Sequence, residues 1–158
     1  MKVVVVFGSL SDKPIIEKAT KVLKEFEVDY KAFCISAHRL SDVLENKLKE
    51  WEKINVDLII AGAGLAAHLP GVIASKTIIP VIGIPINNGA LKGLDALFSI
   101  VQMPPDIPVA TIGIDNAKNA AILAIEILSI KYPIYKEKLL HYRKEIKEKL
   151  SSQIQQDL

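Results

Sequence analysis

Val3-Val4-Val5-Val6-Phe7-Gly8-Ser9-Leu10-Ser11-Asp12-Lys13-Pro14 is the stretch that decides the fold. Val3 to Phe7 is an unbroken run of β-branched and aromatic side chains with no polar alternation, the pattern of a strand covered on both faces in a parallel sheet. Gly8 ends the run. Pro14 then falls in the first turn of a helix whose apolar residues Ile15, Ile16, Ala19, Val22, Leu23 and Phe26 recur at helical spacing. Strand, tight turn and helix follow one another within a few residues.

The same unit repeats along the chain. Tyr30 to Ile35 precedes a helix marked by Leu44, Leu48 and Trp51, and Asp57 to Ala61 precedes a short helix near Ala66 to Ser75. Pro80 to Ile86 and Val109 to Ile114 supply a fourth and fifth strand. The helices after them carry Leu91, Leu94, Leu97, Phe98 and Val101, and Ala117, Ala120, Ala121, Ala124 and Leu128. Five strands alternating with helices predict an α/β fold, a flavodoxin-like three-layer sandwich around a five-stranded parallel sheet. Right-handed crossovers place every loop that follows a strand on one sheet edge, where function is to be sought.

After Pro133 the composition changes. Lys136, Glu137, Lys138, Lys144, Glu145, Lys147, Glu148 and Lys149 surround an apolar stripe of Leu139, Tyr142, Ile146 and Leu150, an extra amphipathic C-terminal helix beyond a core of residues 1–130. The whole chain is expected to form one domain, with 131–158 as its helical tail and the last residues from Ser151 to Leu158 frayed. The apolar stripe needs cover, from a neighbouring subunit or from its own domain, and an oligomer is expected.

Composition removes several classes of function. The 158 residues are 50% apolar and 24% charged, with 20 basic against 18 acidic side chains, so the formal charge of +2 gives little drive toward a nucleic-acid backbone. Asp57, His68, Pro70 and Lys76 interrupt the most apolar region, which leaves no membrane span, and the Val3–Phe7 run is too short for a secretory signal. Cys34 is the only cysteine. It excludes an internal disulfide framework and any CxxC metal or redox site, and fits a reducing compartment.

Three loops carry residues suited to chemistry. Gly8 to Asp12 offers two hydroxyls and backbone N–H groups at a helix start, where an anion such as phosphate is favoured. Asp12 itself either accepts hydrogen bonds from sugar hydroxyls or caps the helix. Ser36-Ala37-His38-Arg39 sets a titratable imidazole beside a permanent cation. Because 18 of the 20 basic residues are lysine, an arginine at 39 points to planar recognition of phosphate or carboxylate. The third loop, Gly62-Ala63-Gly64-Leu65-Ala66-Ala67-His68-Leu69, matches GxGxxA formally, yet it follows the third strand and lacks the acidic residue about 20 positions on, which excludes a dinucleotide site. Its small residues allow a ligand close to the backbone, and His68, in a short buried helix, reads more readily as a structural hydrogen-bonder than His38 does. Pro85 to Ala90 could line the same region, while Pro104, Pro105 and Pro108 stiffen a connection.

Taken together, GSLSD at 8–12, SAHR at 36–39, AGAGLAAHLPGVIASKT at 61–77, GIPI at 83–86 and SIVQMPPDIPVATIGI at 99–114 resemble the 5-(carboxyamino)imidazole ribonucleotide mutase family of purine biosynthesis, also called PurE. The likeness runs from about Val3 to Leu128. It implies a cytoplasmic homo-octamer that moves a carboxylate from an exocyclic nitrogen to a ring carbon of an imidazole ribonucleotide, with neither metal nor nucleotide cofactor. By the same resemblance Ser9, Ser36 and Arg39 hold the phosphate and Asp12 the ribose hydroxyls. Gly62, Ala63, Gly64, Ala66 and Leu69 then surround the imidazole and the migrating carboxylate, His38 carries the proton, and His68 orders the pocket. Three departures stand out: Leu40-Ser41 in place of Thr-Pro, Asn88-Gly89 in place of Ser-Ala, and Pro105 in place of Arg.

Two other readings compete. The nearer is a carboxylase that acts directly on aminoimidazole ribonucleotide with carbon dioxide. The other is a receiver or flavin-binding module on the same fold. A receiver wants acids where the first and third strands end, and here those ends are Phe7-Gly8 and Ala61-Gly62.

Overall fold

The computed structural model describes residues 1–154 and contains five strands: β1 (Val3–Phe7), β2 (Tyr30–Cys34), β3 (Leu58–Gly64), β4 (Val81–Ile86) and β5 (Ala110–Thr111). They form one all-parallel sheet in the order β2-β1-β3-β4-β5. Six helices accompany them: α1 (Lys13–Glu25), α2 (Ser41–Lys53), α3 (Leu69–Ala74), α4 (Leu94–Val101), α5 (Ala117–Lys131) and α6 (Pro133–Ser151). This is the predicted flavodoxin-like α/β arrangement. No helix among the described residues is long and apolar enough to cross a membrane.

The chain divides into two compact units, Met1–Ala124 and Ile125–Leu158. In the first, every residue of β1 and β4 is buried, as an unalternating apolar run requires. Val4 and Val6 of β1 and Ile59 and Ala61 of β3 join Leu44, Leu48 and Trp51 of α2, Ile73 of α3 and Ile100 of α4 in one cluster. On the opposite face, Gly62 of β3 lies against Ile16 of α1. In the second unit, Tyr135 and Leu139 of α6 are buried, and Arg143 bonds Glu126. Of the fraying expected beyond Ser151, residues 155–158 lie outside the described part.

Three elements differ from the sequence expectation. β3 runs on through Gly62, Ala63 and Gly64, because β4 continues beside it and pairs with them at Ile84, Pro85 and Ile86. β5 is reduced to Ala110–Thr111, an edge strand paired with Ile82 and Gly83 alone. Helix α4 begins only at Leu94, after Gly93 in a left-handed turn at φ 87°, and its apolar periodicity misleads. Ala96 and Ile100 point inward, while Leu91, Leu94, Phe98 and Val101 are each at least half exposed. Ile100 is the inward residue because Gly83 has no side chain: a Cβ built there lies 2.4 Å from Ile100 Cγ2 and 3.1 Å from Val109 Cγ1.

That contact yields a stability prediction. Gly83→Ala overpacks the β4–α4 seam and is expected to lower stability by about 1–3 kcal/mol, read as a lower urea midpoint at unchanged slope. An unchanged midpoint would mean that Ile100 can repack freely.

Candidate active site

Strand order decides where the site lies. The chain goes from β1 outward to β2, then returns across β1 to build β3, β4 and β5, so the crevice at the carboxyl ends of β1 and β3 is the switch point of the sheet. In-register pairing aligns the ends of β1 and β2 at Phe7 and Cys34, β3 runs two residues past Gly62 to Gly64, and the loops that follow come together. A cavity of about 460 Å³ opens there.

Ser9, Asp12, Ser36, His38, Arg39, Ala63, Gly64, Ala66, His68 and Leu69 all line this cavity. Gly62 does not, and its expected place beside the ligand is corrected. It is buried in β3, where a Cβ would lie 2.6 Å from Ile16 Cδ1 and 3.2 Å from Ile86 Cδ1, so this glycine serves packing between β3 and α1. Gly8, Ser11, Ala37, Leu65 and Asn88 complete the lining. Of the Pro85–Ala90 stretch only Asn88 reaches the cavity, and the segment around Pro105 supplies no lining residue in this chain.

The first loop folds as a single 3-10 turn, Leu10–Asp12, closed by a reciprocal cap. Asp12 Oδ2 accepts from the Ser9 N–H at 3.1 Å, and Ser9 Oγ accepts from the Ser11 N–H at 3.3 Å. The backbone donors that the sequence offered to an anion are thus partly occupied within the turn. Asp12 is the one buried polar or charged side chain among the described residues. Its Oδ1 accepts from Asn88 Nδ2 at 3.1 Å and lies 3.4 Å from the Ser11 hydroxyl. Burial raises the Asp12 carboxyl above the ordinary carboxylate range, and the hydrogen bonds from Asn88, Ser9 and Ser11 work against that rise.

His38 and His68, from the loops after β2 and β3, meet edge to face: Nε2 of His38 lies 2.9 Å from Nδ1 of His68, with the rings at 87°. One nitrogen of this contact must carry a hydrogen and the other a lone pair. The bond therefore survives with both rings neutral or with one extra proton on the pair, and breaks when both rings are charged. His68, which sequence left between structural and chemical roles, is tied to His38 directly. Arg39 is exposed at the rim, its backbone N–H directed at Ser36 Oγ at 3.4 Å, and its guanidinium forms no ion pair among the described residues. Among the described residues no group of three or more His, Cys, Asp or Glu side chains is placed to hold a metal ion.

A model of the AIR carboxylase family matches residues 2–149. The chain belongs to that family. It is 60% identical over 146 residues to the N5-carboxyaminoimidazole ribonucleotide mutase of Pyrococcus abyssi, an alignment covering 92% of this chain and 84% of the relative. It is 48% identical over 154 residues to the protein of the same name from Thermotoga maritima, covering 98% and 90%. The crystal structure of Treponema denticola PurE superposes with a TM-score of 0.89 at 28% identity, covering 98% of each chain. Membership agrees with the resemblance carried by the loop motifs, and it rests on nearly the entire length of the chain.

One residue of the cavity, Leu65, lacked a readable signal. Leu65 holds a left-handed backbone at φ 55°, where glycine is the easy occupant, and a Cβ built on Gly89 falls 2.7 Å from Leu65 Cδ2. The glycine at 89 thus makes room for the leucine at 65. Asn88 could be noticed within the Pro85–Ala90 stretch and as a departure from serine, but its bond to Asp12 joins positions 76 apart in sequence and had no local signal.

Asp12 gives a prediction with a definite sign. A carboxyl whose folded-state pKa is raised binds more protons in the folded state, so its contribution to stability is present at low pH and lost as pH rises through the folded value. Asp12→Asn removes that titration. In thermal melts across the acidic range, the difference between variant and wild type should move in the variant's favour as pH rises. Movement the other way would mean that the three hydrogen bonds outweigh burial.

Proposed function

We propose that the chain is a mutase of de novo purine biosynthesis that converts 5-carboxyaminoimidazole ribonucleotide to 4-carboxy-5-aminoimidazole ribonucleotide, with His38 as general acid and base. The observation that carries this reading is the convergence of His38, His68, Arg39, Asp12 and the end of β3 on one cavity, in a chain 60% identical to a relative bearing the mutase name.

The chemistry follows from the groups present. Breaking the bond between the exocyclic nitrogen and its carboxylate releases carbon dioxide and leaves an electron pair on nitrogen, which takes a proton from protonated His38. The ring carbon then attacks carbon dioxide, and the hydrogen it held returns to His38 as the ring recovers aromaticity. The imidazole ends as it began. The hydrogen bond to His68 Nδ1 is compatible with both states of His38, since Nε2 can remain the donor throughout. Arg39 with the hydroxyls of Ser9 and Ser36 binds the phosphate, and Asp12 accepts the ribose hydroxyls. Ala63, Gly64, Ala66 and Leu69 form a close wall that retains carbon dioxide between the two steps.

The ligand is a small ribonucleotide, and no metal, nucleotide cofactor, nucleic acid or membrane takes part in this reading. We read the enzyme as a cytoplasmic homo-oligomer, an octamer by family resemblance. The free thiol of Cys34 is in keeping with a reducing compartment. The exposed Leu91, Leu94, Phe98 and Val101 around α4 are in keeping with subunit contacts.

Offering each ribonucleotide separately tests the reaction. Carboxyaminoimidazole ribonucleotide alone should give the carboxylated product, followed by ultraviolet absorbance. Activity confined to aminoimidazole ribonucleotide plus bicarbonate would establish the direct carboxylase instead. In the same assay His38→Asn should bind ligand normally and lose roughly a hundred- to ten-thousand-fold in turnover. Near-normal turnover would assign the proton to another group.

A further inference from the structure

Asn88 is the one residue of the loop after β4 that lines the cavity. We propose that Asn88 is a positioning residue whose side-chain amide holds the Asp12 carboxylate ready for a vicinal pair of ribose hydroxyls, so that it governs ribonucleotide affinity and leaves the chemical step alone. This rests on the reading that Asp12 receives the sugar.

The geometry assigns the parts. Asp12 is acceptor-only when ionised, with about four lone-pair sites on its two oxygens. Ser9 N–H occupies one site on Oδ2 at 3.1 Å and Asn88 Nδ2 one on Oδ1 at 3.1 Å. The single Ser11 hydroxyl hydrogen is directed mainly at Ser9 Oγ at 2.9 Å and only weakly at Asp12 Oδ1 at 3.4 Å. One lone pair per carboxylate oxygen is left, which matches two adjacent hydroxyls. The clamp is two-sided: Ser9 fixes the carboxylate from its own turn, and Asn88 fixes it from the far side of β3.

The amide orientation follows from charge. An Asn carbonyl turned toward a carboxylate would oppose two acceptors, so Nδ2 must face Asp12. The seat is built for this side chain. A Cβ on Gly64 would lie 2.7 Å from Asn88 Nδ2 and 3.0 Å from Asn88 Cβ, so the absent side chain at 64 is the space that Asn88 occupies. Burial that raises the Asp12 carboxyl is opposed first by this same amide. The other titratable or charged groups lining the cavity are His38, Arg39 and His68, which every Asn88 variant retains.

The test uses the full-length enzyme with Asn88→Ala and the isosteric Asn88→Asp. Each variant is compared with wild type by thermal melt, by KM and kcat for carboxyaminoimidazole ribonucleotide at pH 8, and by carbon-13 titration of the ligand-free Asp12 carboxyl. Loss of a hydrogen bond to a charged group should raise KM roughly tenfold in Asn88→Ala, with kcat within about twofold. Asn88→Asp, nearly the same shape but with acceptor facing acceptor, should raise KM further, and in both variants Asp12 should titrate at higher pH than in wild type. Gly64→Ala, which displaces the amide, should shift the Asp12 titration in the same direction.

A purely steric role predicts that the Asp12 titration does not move in Asn88→Ala; a carboxylate at 88 repels Asp12 under either role, so a wild-type KM in Asn88→Asp would speak against the contact itself. Either result overturns the inference even if the mutase activity stands. A wild-type enzyme inactive on the ribonucleotide would instead remove the functional reading, and the affinity role of Asn88 would fall with it.

Discussion

Parallel pairing of β1 with β2 on one side and β3 on the other is the constraint on which the site depends. Backbone hydrogen bonds in register align Phe7 with Cys34 and with Gly62, so the loops after β1 and β2 leave the sheet at one level and β3 ends two residues beyond them at Gly64. A one-residue slip would turn every side chain of β1 to the opposite face. It would move Val4 and Val6 out of the core they share with Leu44, Leu48 and Trp51. The observed register sets the loops after β2 and β3 side by side, and His38 reaches His68 across a gap of 30 residues in sequence.

The second constraint is space at the carboxyl end of β3. Gly62 and Gly64 lie on the same face of the strand, and in each case the volume a side chain would fill holds protein: Ile16 and Ile86 at the first, Asn88 at the second. Glycine-rich strand ends invite explanation by ligand approach, but here the small residues first allow α1 and the loop after β4 to close on the strand. The resulting wall then presents Ala63, Gly64 and Ala66 to the cavity. Packing and binding are served by the same positions, which is why a substitution there is expected to disturb both.

Much of this was legible in the sequence where one local rule dominates. The Val3–Phe7 run, the Gly8 break and the Pro14 helix start gave β1 and α1 at nearly their observed limits, since apolar runs and proline act over a few residues. Leu44, Leu48 and Trp51 are all buried, as their spacing requires. The rule failed at α4, where Leu94, Phe98 and Val101 outnumber the inward-facing Ala96 and Ile100. Periodicity reports that a helix has an apolar side; it does not report which apolar side meets the same sheet when a second face is also apolar. The end of β3 was missed for a related reason. Gly-Ala-Gly looks like a loop until Ile84, Pro85 and Ile86 of β4 supply partners for it.

Within the site, legibility stopped at pairings between loops. His38, Arg39 and Asp12 could be singled out one at a time by chemical type, but the His38–His68 contact and the Asn88–Asp12 bond join segments that only the fold brings together. These two contacts divide the cavity by task. At one end two imidazoles share a single hydrogen and can accept one more while keeping their bond, an arrangement suited to a group that must gain and lose a proton in each cycle. At the other, the buried Asp12 is held by donors from its own turn and from the loop after β4, an arrangement suited to holding still. Mobility of a proton and fixity of a carboxylate are opposite demands, and separating them onto different loops lets one pocket meet both.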